Sequence, residues 1–395
     1  MKRKRIISAV IVFFGLCLAY YYRHQIHTLR VRIFGRREKP KPVFLENTGP
    51  TQDIIFTLCD HFEPVWTGKD IQQYRSFLDG YRRMAGRFQD ADGCHPKITL
   101  FASQDANPDI LEMLIPFVRE GFGEVEVHVH HGTDDDTGRD NTDEMKRIIR
   151  EVRQKYRRFG YCHYPPSASG NFSFGFIHGN WALDNSRVND KKKRTGCGIN
   201  RELDLLKVLG CYADFTFPAW GTMTPTKILD RHFYATDDNK PKSYDRKSNI
   251  RVMRVRGGPS ADLLLLQGPD SNDAWNVFTP PTLERMKEWM AHQVKVEGQD
   301  RWVFVKLYTH SILDWWKEGG INPEAEDVFY GAKAFRFYQD ILDFFRPEKY
   351  RLHFVSAREF YNIAKAAEAG KTGNAGAFRD FALPKPLCFS RENSE

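Results

Sequence analysis

The sequence lacks the signatures of several protein classes. Its seven cysteines are odd in number and scattered, and none forms a Cys-x-x-Cys pair, so we expect neither a disulfide framework nor a zinc ribbon. No Gly-x-Gly-x-x-Gly or Gly-x-x-x-x-Gly-Lys-Ser/Thr motif follows the first predicted strand, which argues against a nucleotide-binding fold. Beyond residue 41, 48 Lys and Arg balance 50 Asp and Glu. The sequence therefore predicts no nucleic-acid partner, and the basic run 191–194 is interpreted as a solvated loop.

The first 41 residues carry the basic excess, with eleven Lys and Arg and one acid. They contain an uncharged apolar run from Ile6 to Tyr22, which follows a basic N-terminus at residues 1–5. This run is at the short end of a membrane span, and no small-x-small cleavage site follows it. It predicts a single-pass inner-membrane anchor at residues 6–22, followed by a basic, proline-containing linker at residues 23–50. Basic residues on both sides leave open which side of the membrane the rest of the chain faces.

From residue 51 onward the chain alternates between strand-like and helix-like segments. Apolar runs such as Ile54 to Cys59 and Trp302 to Tyr308 predict buried strands, and amphipathic segments such as Asp143 to Phe159 predict helices. The order is strand then helix, repeated along the chain, which is typical of parallel strands with right-handed crossovers. A doubly wound sheet and a (β/α) barrel both fit this order. We favour an α/β fold with a (β/α) barrel of about seven or eight strands over residues 51–368, and a C-terminal tail at residues 369–395.

A histidine-rich strand is the most informative stretch of the chain. Residues 124–132 read Glu-Val-Glu-Val-His-Val-His-His-Gly, and valine at every second position predicts a strand whose polar side chains share one face. His128 and His130 therefore lie about 7 Å apart on that face, where they can converge on one ion. On its own the pattern is more typical of a polar strand end with solvated imidazoles.

Polar residues at other predicted strand ends strengthen the metal-site interpretation. The active site of a (β/α) barrel lies at the C-terminal ends of its strands. Such ends carry Asp60, His61 and Glu63 after the first strand, His128, His130 and His131 after the third, His178, Asn180 and Trp181 after the fourth, and His310 after a late strand. Asp60 with His128 and His130 is the simplest set for a divalent catalytic metal. His131 points to the other face unless the chain turns at Gly132, and His61 is a further candidate ligand.

The order of these motifs resembles the polysaccharide deacetylase (NodB-like, carbohydrate esterase 4) superfamily, whose fold is a distorted (β/α) barrel. Residues 56–61 resemble the family's first motif, of the Thr-Phe-Asp-Asp-Gly type. Residues 99–101 and 123–128 resemble its second strand and its metal-binding histidine segment, and Leu307-Tyr308-Thr309-His310 resembles the strand end that supplies the catalytic acid. The resemblance spans residues 53 to 365, with the motifs in the family's order.

Three positions depart from the family pattern. Cys59 stands where the family has its general base, so the resemblance keeps the metal role for Asp60 and leaves the base unassigned. Gly132 stands where the family has its second histidine, so His130 or His131 must replace it. Residues 178–181, His-Gly-Asn-Trp, replace the loop that carries the family's base-orienting arginine. The chain therefore resembles a divergent branch of the superfamily.

The resemblance implies a chemistry for these residues. Metal-activated water would attack an N-acetyl carbonyl, and His310 would protonate the departing amine, with Asp60, Glu63 or His61 as the base. Trp181 and Trp220 could stack on sugar rings, although packing at the barrel mouth explains them equally well. Alongside His178 and Asn180, Lys306 is a further candidate for substrate binding, as an oxyanion or carboxylate contact; the alternative is an ion pair with an acid such as Glu126.

These expectations define three hypotheses. The first is a membrane-anchored hydrolase with a divalent metal, most simply Zn²⁺, that removes N-acetyl groups from a surface or capsular polysaccharide or its precursor. The second is a metal-dependent phosphoesterase or another hydrolase, because an Asp- and His-rich barrel mouth also suits phosphate substrates. The third is a non-catalytic carbohydrate-binding barrel that has lost its general base. The sequence indicates neither which glycan is bound nor the oligomeric state.

Overall fold

The structure is a computed structural model of the chain. It describes the following residues: 51–64, 71–132, 140–165, 172–187, 198–222, 224–258, 260–317, 320–346 and 348–389. All of these residues belong to one compact unit, residues 44–395.

The first strand lies next to one edge of a mixed ten-stranded sheet. β1 (Gln52–Phe62) is buried along its whole length, as expected for a strand covered on both faces. It pairs in parallel with β9 (Trp302–Thr309) on one edge, and with β12 (Tyr350–Phe354) and then β2 (Ile98–Ser103) on the other. The remaining strands are β3 (Gly123–Val129), β4 (Phe174–His178), β5 (Cys211–Asp214), β6 (Phe233–Ala235), β7 (Ile250–Val252) and β8 (Leu263–Leu265), and a separate hairpin is formed by β10 (Trp316–Lys317) and β11 (Gly320–Ile321).

The predicted closed barrel is wrong, because the sheet is open. Its order is β12-β1-β2-β3-β4-β5-β8-β6-β7, with β9 on the free edge of β1. β6 runs antiparallel to both β7 and β8. Within the described residues no ladder joins β7, the last strand in this order, to β9, whose outer edge carries an isolated bridge between Ala274 and Tyr308. The segment after β8 contains Gly268 and Pro269, which are poor strand residues, since proline donates no ladder hydrogen bond.

Nine helices lie in the described part of the chain, and they divide between the two faces of the sheet. They are α1 (Ile71–Ala85), α2 (Pro108–Arg119), α3 (Thr142–Phe159), α4 (Glu202–Val208), α5 (Leu283–Ala291), α6 (Ser311–Trp315), α7 (Pro323–Phe329), α8 (Ala332–Phe344) and α9 (Ala357–Glu368). Apolar residues of α1 to α8 pack into one core, and those of α9 pack into a second core. α9 begins at a capping box formed by Ser356 and Glu359, which satisfies backbone N–H groups at its first turn.

Side chains of β1 alternate between the two cores, and the same alternation decides which face of the sheet each polar residue at the end of β1 occupies. Phe56 and Leu58 belong to the core of α1 to α8, while Ile55 and Cys59 belong to the core of α9. We call these the helical face and the inner face of the sheet. Because successive side chains point to opposite faces, His61 and Glu63 extend the inner face, and Asp60 extends the helical face.

The expected membrane localisation is not upheld. Among the residues that the structure describes, no helix is long and apolar enough to cross a bilayer. The apolar run at residues 6–22 that prompted the expectation lies outside the described residues, as do the basic N-terminus and most of the linker.

At the start of β1, a buried network of charges joins the strand to β12. Both ring nitrogens of His353 lie 2.7 Å from carboxylate oxygens, one of Asp53 and one of Asp92. Arg351 also pairs with Asp53, and Arg379 also pairs with Asp92. Because carboxylates only accept, His353 donates from both nitrogens and is an imidazolium here. Burial alone would lower the pKa of His353, but its hydrogen bonds to the two carboxylates outweigh burial and raise it.

His353→Gln is expected to lower the free energy of unfolding by about 2–3 kcal/mol, less than for an unshielded pair because each carboxylate keeps an arginine. A histidine whose pKa is raised on folding stabilises the protein fully below its ordinary pKa of 6.5, and loses that contribution as pH rises through the folded value. The difference between wild type and variant should therefore shrink as pH rises above the ordinary value of 6.5. Urea unfolding across this range measures it, and a difference that stays constant would contradict the imidazolium assignment.

Candidate metal centre

Glu63, His128 and His130 converge on one point at the inner face of the sheet. Glu63 follows the end of β1, His128 lies in β3, and His130 directly follows β3. Oε1 of Glu63 lies 2.7 Å from Nε2 of His130 and 3.1 Å from Nε2 of His128, and the two Nε2 atoms are 3.1 Å apart. His128 is fully buried, whereas about a fifth of the His130 side chain is exposed (23%). The group therefore could hold a metal ion at a position that retains access to solvent.

Hydrogen bonding around His128 shows why a cation fits this group. Nδ1 of His128 lies 2.9 Å from the carbonyl oxygen of Ile177, and since a carbonyl only accepts, Nδ1 carries the ring hydrogen. In the neutral ring, Nε2 then has a lone pair that faces the carboxylate of Glu63. Two acceptors at this distance repel each other unless a proton or a metal ion lies between them. A backbone carbonyl that fixes the other ring nitrogen is also typical of metal-binding histidines.

The charges of the group favour an ion over a proton. Burial alone would raise the pKa of Glu63, but the close approach of the His128 and His130 rings outweighs it and lowers that pKa, so the carboxylate is ionised. Burial lowers the pKa of His128, and the neighbouring Glu63 only partly offsets this effect. An ion with metal–nitrogen bonds of about 2.1 Å in tetrahedral geometry would have ligand atoms about 3.4 Å apart. Two spacings within this group, both 3.1 Å, are near that value, and the 2.7 Å between Glu63 and His130 is shorter.

Four aromatic or imidazole rings lie beside the metal group. The ring centroid of His61 lies 4.8 Å from that of His128 and 4.3 Å from that of His310. The Trp181 ring lies 5.6 Å from the rings of both His61 and His310, and Tyr308 lies 5.7 Å from Trp181. The structure thus brings His61, His310 and Trp181 to the same place as His128.

The two additional imidazoles are held neutral. Burial lowers the pKa of His61 well below its ordinary value, and the nearby His310 and His128 lower it further. Burial likewise lowers the pKa of His310 to about 4, against the opposing effect of the Glu63 carboxylate. At neutral pH both rings are therefore proton acceptors that can carry a proton only transiently.

Asp60 is not part of this group, and the predicted ligand set of Asp60, His128 and His130 needs correction. The Asp60 side chain lies on the helical face, where Oδ1 accepts a hydrogen bond from the Ser311 backbone N–H (2.7 Å) and Oδ2 accepts one from the Ser311 hydroxyl (2.9 Å). Burial raises the pKa of Asp60 to about 7, although these two hydrogen bonds oppose the rise. Because β1 continues to Phe62, Glu63, which the sequence offered only as a base, provides the carboxylate.

His130 and His131 belong to different groups. Alternation continues past the end of β3, so His130 faces inward with His128 while His131 lies on the helical face. There Nε2 of His131 lies 2.6 Å from Oε1 of Glu202 and 3.2 Å from Nε2 of His178. His178, predicted to bind substrate, is therefore a member of a second group that could hold a metal ion.

A third group, Asp90, Asp92 and His353, also meets the spacing of a metal site. Its members are already partnered, since Arg379 pairs with both carboxylates. His353 donates from both nitrogens, as described above, and so offers no lone pair. We interpret this group as the structural ion network between β1 and β12.

Of the other residues predicted to bind substrate, Asn180 lies at the metal group, whereas Lys306 and Trp220 have other surroundings. Asn180 contacts the site, with Nδ2 3.4 Å from Nδ1 of His130. Lys306, also predicted to bind substrate, is instead buried, and its Nζ donates a hydrogen bond to the carbonyl oxygen of Phe215 at 3.0 Å. The predicted alternative of an ion pair between Lys306 and Glu126 is wrong, since Glu126 is held by Tyr212 and a backbone N–H. Trp220 is exposed at 42%, and within the described residues the ring contacts that join Trp181 to the site do not include it.

The turn after β4 is shaped to fit His130. Asn180 and Trp181 both have positive φ, at 56° and 51°, a conformation that costs about 1 kcal/mol or more per non-glycine residue. A Cβ at Gly179 would lie 2.4 Å from the His130 ring, so only glycine permits this approach. The strained turn thus carries Asn180 and Trp181 over the site and packs directly against one of its imidazoles.

Glu202 is the site residue that sequence reasoning missed. It opens α4 in the segment Asn-Arg-Glu-Leu-Asp, where an acidic residue in a first helical turn is ordinary. No spacing to a histidine marks Glu202 in the sequence, because its partners lie far away along the chain.

No protein-family model matches the chain, and no curated protein is significantly similar to it.

Proposed function

We propose that the chain is a metal-dependent hydrolase that removes N-acetyl groups from a glycan, with Glu63, His128 and His130 as the metal ligands. The observation that carries this proposal is the convergence of one carboxylate and two imidazoles beside His61 and His310. Three protein ligands with solvent access leave positions for water and substrate, as in catalytic rather than structural sites.

Zinc is the ion that suits these ligands best, since two imidazoles and one carboxylate form a common catalytic zinc set. When bound, it would lower the pKa of a water molecule and polarise the substrate carbonyl. The resemblance to polysaccharide deacetylases supports the same chemistry. In this chain, however, Glu63 takes the place that the resemblance gives to Asp60.

His310 is proposed to move the proton that amide hydrolysis requires. Attack of water on an amide releases one proton, and the leaving amine must gain one. A neutral His310 can accept the proton from water and then donate it to the amine nitrogen, so that the ring ends as it began. The ring of His61, 4.3 Å away between centroids, packs against His310 and holds its orientation. This assignment supplies the base that the Cys59 position does not, because burial raises the pKa of the Cys59 thiol to about 12.

Trp181 is proposed to bind a sugar ring. Its side chain is partly exposed and lies against both His61 and His310. Flat aromatic faces stack on the apolar faces of pyranose rings. A site whose neutral imidazoles surround a single carboxylate also suits an uncharged amide better than a phosphate dianion, which favours deacetylation over the phosphoesterase alternative.

The full chain, stripped of metal with a chelator and reloaded with zinc, tests the proposal. We expect zinc-dependent acetate release from N-acetylated oligosaccharides and no comparable phosphate release from an aryl phosphate. His130→Ala should abolish acetate release. His292→Ala, at the far end of α5 beside Asp230, is the control and should retain it. Phosphate release that depends on His130, without acetate release, would replace the deacetylase proposal by the phosphoesterase one.

A further inference from the structure

We propose that His131, His178 and Glu202 bind a second metal ion, which is structural and fastens the ends of β3 and β4 to the start of α4. This ion is separate from the proposed catalytic one and does not depend on the proposed function. The chemistry of the ligands, two imidazoles and one carboxylate, selects a borderline transition metal such as zinc.

The geometry of the group is that of a closed site. Oε1 of Glu202 lies 2.6 Å from Nε2 of His131 and 3.0 Å from Nε2 of His178, and the two Nε2 atoms are 3.2 Å apart. All three side chains are fully buried. A catalytic site keeps an open position for substrate, and a group with no exposed ligand offers none. The contrast with the partly exposed His130 separates the two groups.

As in the group of Glu63, His128 and His130, hydrogen bonding in the second group leaves two acceptor atoms facing each other. Nδ1 of His178 lies 2.6 Å from the carbonyl oxygen of Gly179, so it carries the ring hydrogen and leaves a lone pair on Nε2. That lone pair faces both Oε1 of Glu202 and Nε2 of His131. The other carboxylate oxygen, Oε2, accepts the backbone N–H of Asp184 at 2.6 Å, which orients Oε1 toward the imidazoles. A cation at the centre removes the conflict, and the Asp184 N–H acts as the outer contact that fixes a ligand.

A buried ion pair is the competing explanation. It would need a proton on Nε2 of His178 in place of the metal. In either case Oε2 of Glu202 accepts the backbone N–H of Asp184. The two explanations differ in whether the protein carries an ion there, which can be measured.

An ion at this position would connect the ends of β3 and β4 to the start of α4. His131 ends the β3 segment, His178 ends β4, and Glu202 opens α4, so one ion would join three elements across the helical face. Gly179, next to His178, packs directly against the His130 ring on the other face. Fastening β4 at His178 therefore also holds the backbone that supports a ligand of the catalytic group.

Metal content of the full chain, measured by plasma mass spectrometry after zinc loading and desalting, tests the proposal. We expect two equivalents in wild type and one in His130→Ala. Glu202→Gln, which keeps the shape of the side chain and an acceptor for the Asp184 N–H, should also retain one equivalent or less. Glu144→Gln is the matched control, because Glu144 accepts the backbone N–H of Gly132 beside His131 at 3.0 Å but is not a ligand; it should retain two.

Thermal unfolding gives a readout independent of activity. Chelation should lower the melting temperature of wild type and of His130→Ala, and should change that of Glu202→Gln much less. Cobalt loading of His130→Ala should give visible ligand-field bands that are missing when Glu202→Gln is added. Equal metal content and equal chelator response in wild type and Glu202→Gln would overturn the proposal. If the proposed catalytic group bound no metal, wild type would hold one equivalent instead of two, but the comparison of His130→Ala with and without Glu202→Gln would still report the second ion alone.

Discussion

Glu63→Gln is expected to lower kcat/KM for acetate release by at least about a thousandfold. The change removes an ionised ligand, so the metal that would activate water is no longer bound. Zinc content should fall by one equivalent. Asp60→Asn, three positions earlier, should keep the metal and lose less than about tenfold in kcat/KM, the effect of one altered hydrogen bond. Burial raises the pKa of Asp60 to about 7, so the amide resembles a form that the carboxyl already adopts near neutral pH.

This pair of variants separates two ligand sets. The resemblance to polysaccharide deacetylases places the metal on Asp60, and the observed geometry places it on Glu63. Metal analysis and steady-state kinetics on both variants decide between them. The opposite outcome, in which Asp60→Asn loses the ion and Glu63→Gln retains it, would mean that β1 ends earlier than observed and that the proposed site is wrong.

His310→Ala is expected to lower kcat by about 10²- to 10⁴-fold, the usual contribution of a proton-transferring side chain. KM and zinc content should change little, because His310 is not among the ligand atoms of the group. The variant should also lose one limb of the dependence of kcat on pH. Added imidazole should restore part of the rate, because the cavity left by the ring can hold the free base.

His61→Asn is the comparison for this experiment. His61 lies against the same rings but is proposed to orient His310 rather than to transfer a proton, so its loss should be smaller and should not respond to added imidazole. Equal losses with equal rescue would assign the proton transfer to the pair. A kcat for His310→Ala close to that of wild type would remove His310 from the mechanism.

Much of the fold could be predicted from local patterns. The helix expected at Asp143 to Phe159 is observed at Thr142–Phe159, and the strand expected at Trp302 to Tyr308 is observed at Trp302–Thr309. Their periodicity matches the burial that they experience. Closure of the sheet could not be predicted in the same way, because it depends on whether the two outermost strands, β7 and β9, pair. The three-residue strands β6 and β8 pair with reversed direction, and no local signal reveals strand direction.

The candidate site was predicted in part, for a similar reason. His128 and His130 share a face because of the two-residue period, which the valines of β3 make visible. The carboxylate depended on where β1 ends, and ends of elements are the least certain feature of a sequence pattern. An error of three residues there moved the predicted ligand from Glu63 to Asp60, and so from the inner face to the helical face.

The adjacent histidines after β3 make this strand intolerant of changes in length. His130 and His131 serve opposite faces of the sheet, so inserting or deleting one residue between Val125 and His128 would send each imidazole to the face that the other now serves. Both groups would lose ligands at once, although every histidine would still be present. We therefore expect relatives of this chain to vary in the loops around β3 while the number of residues between Gly123 and His131 stays fixed.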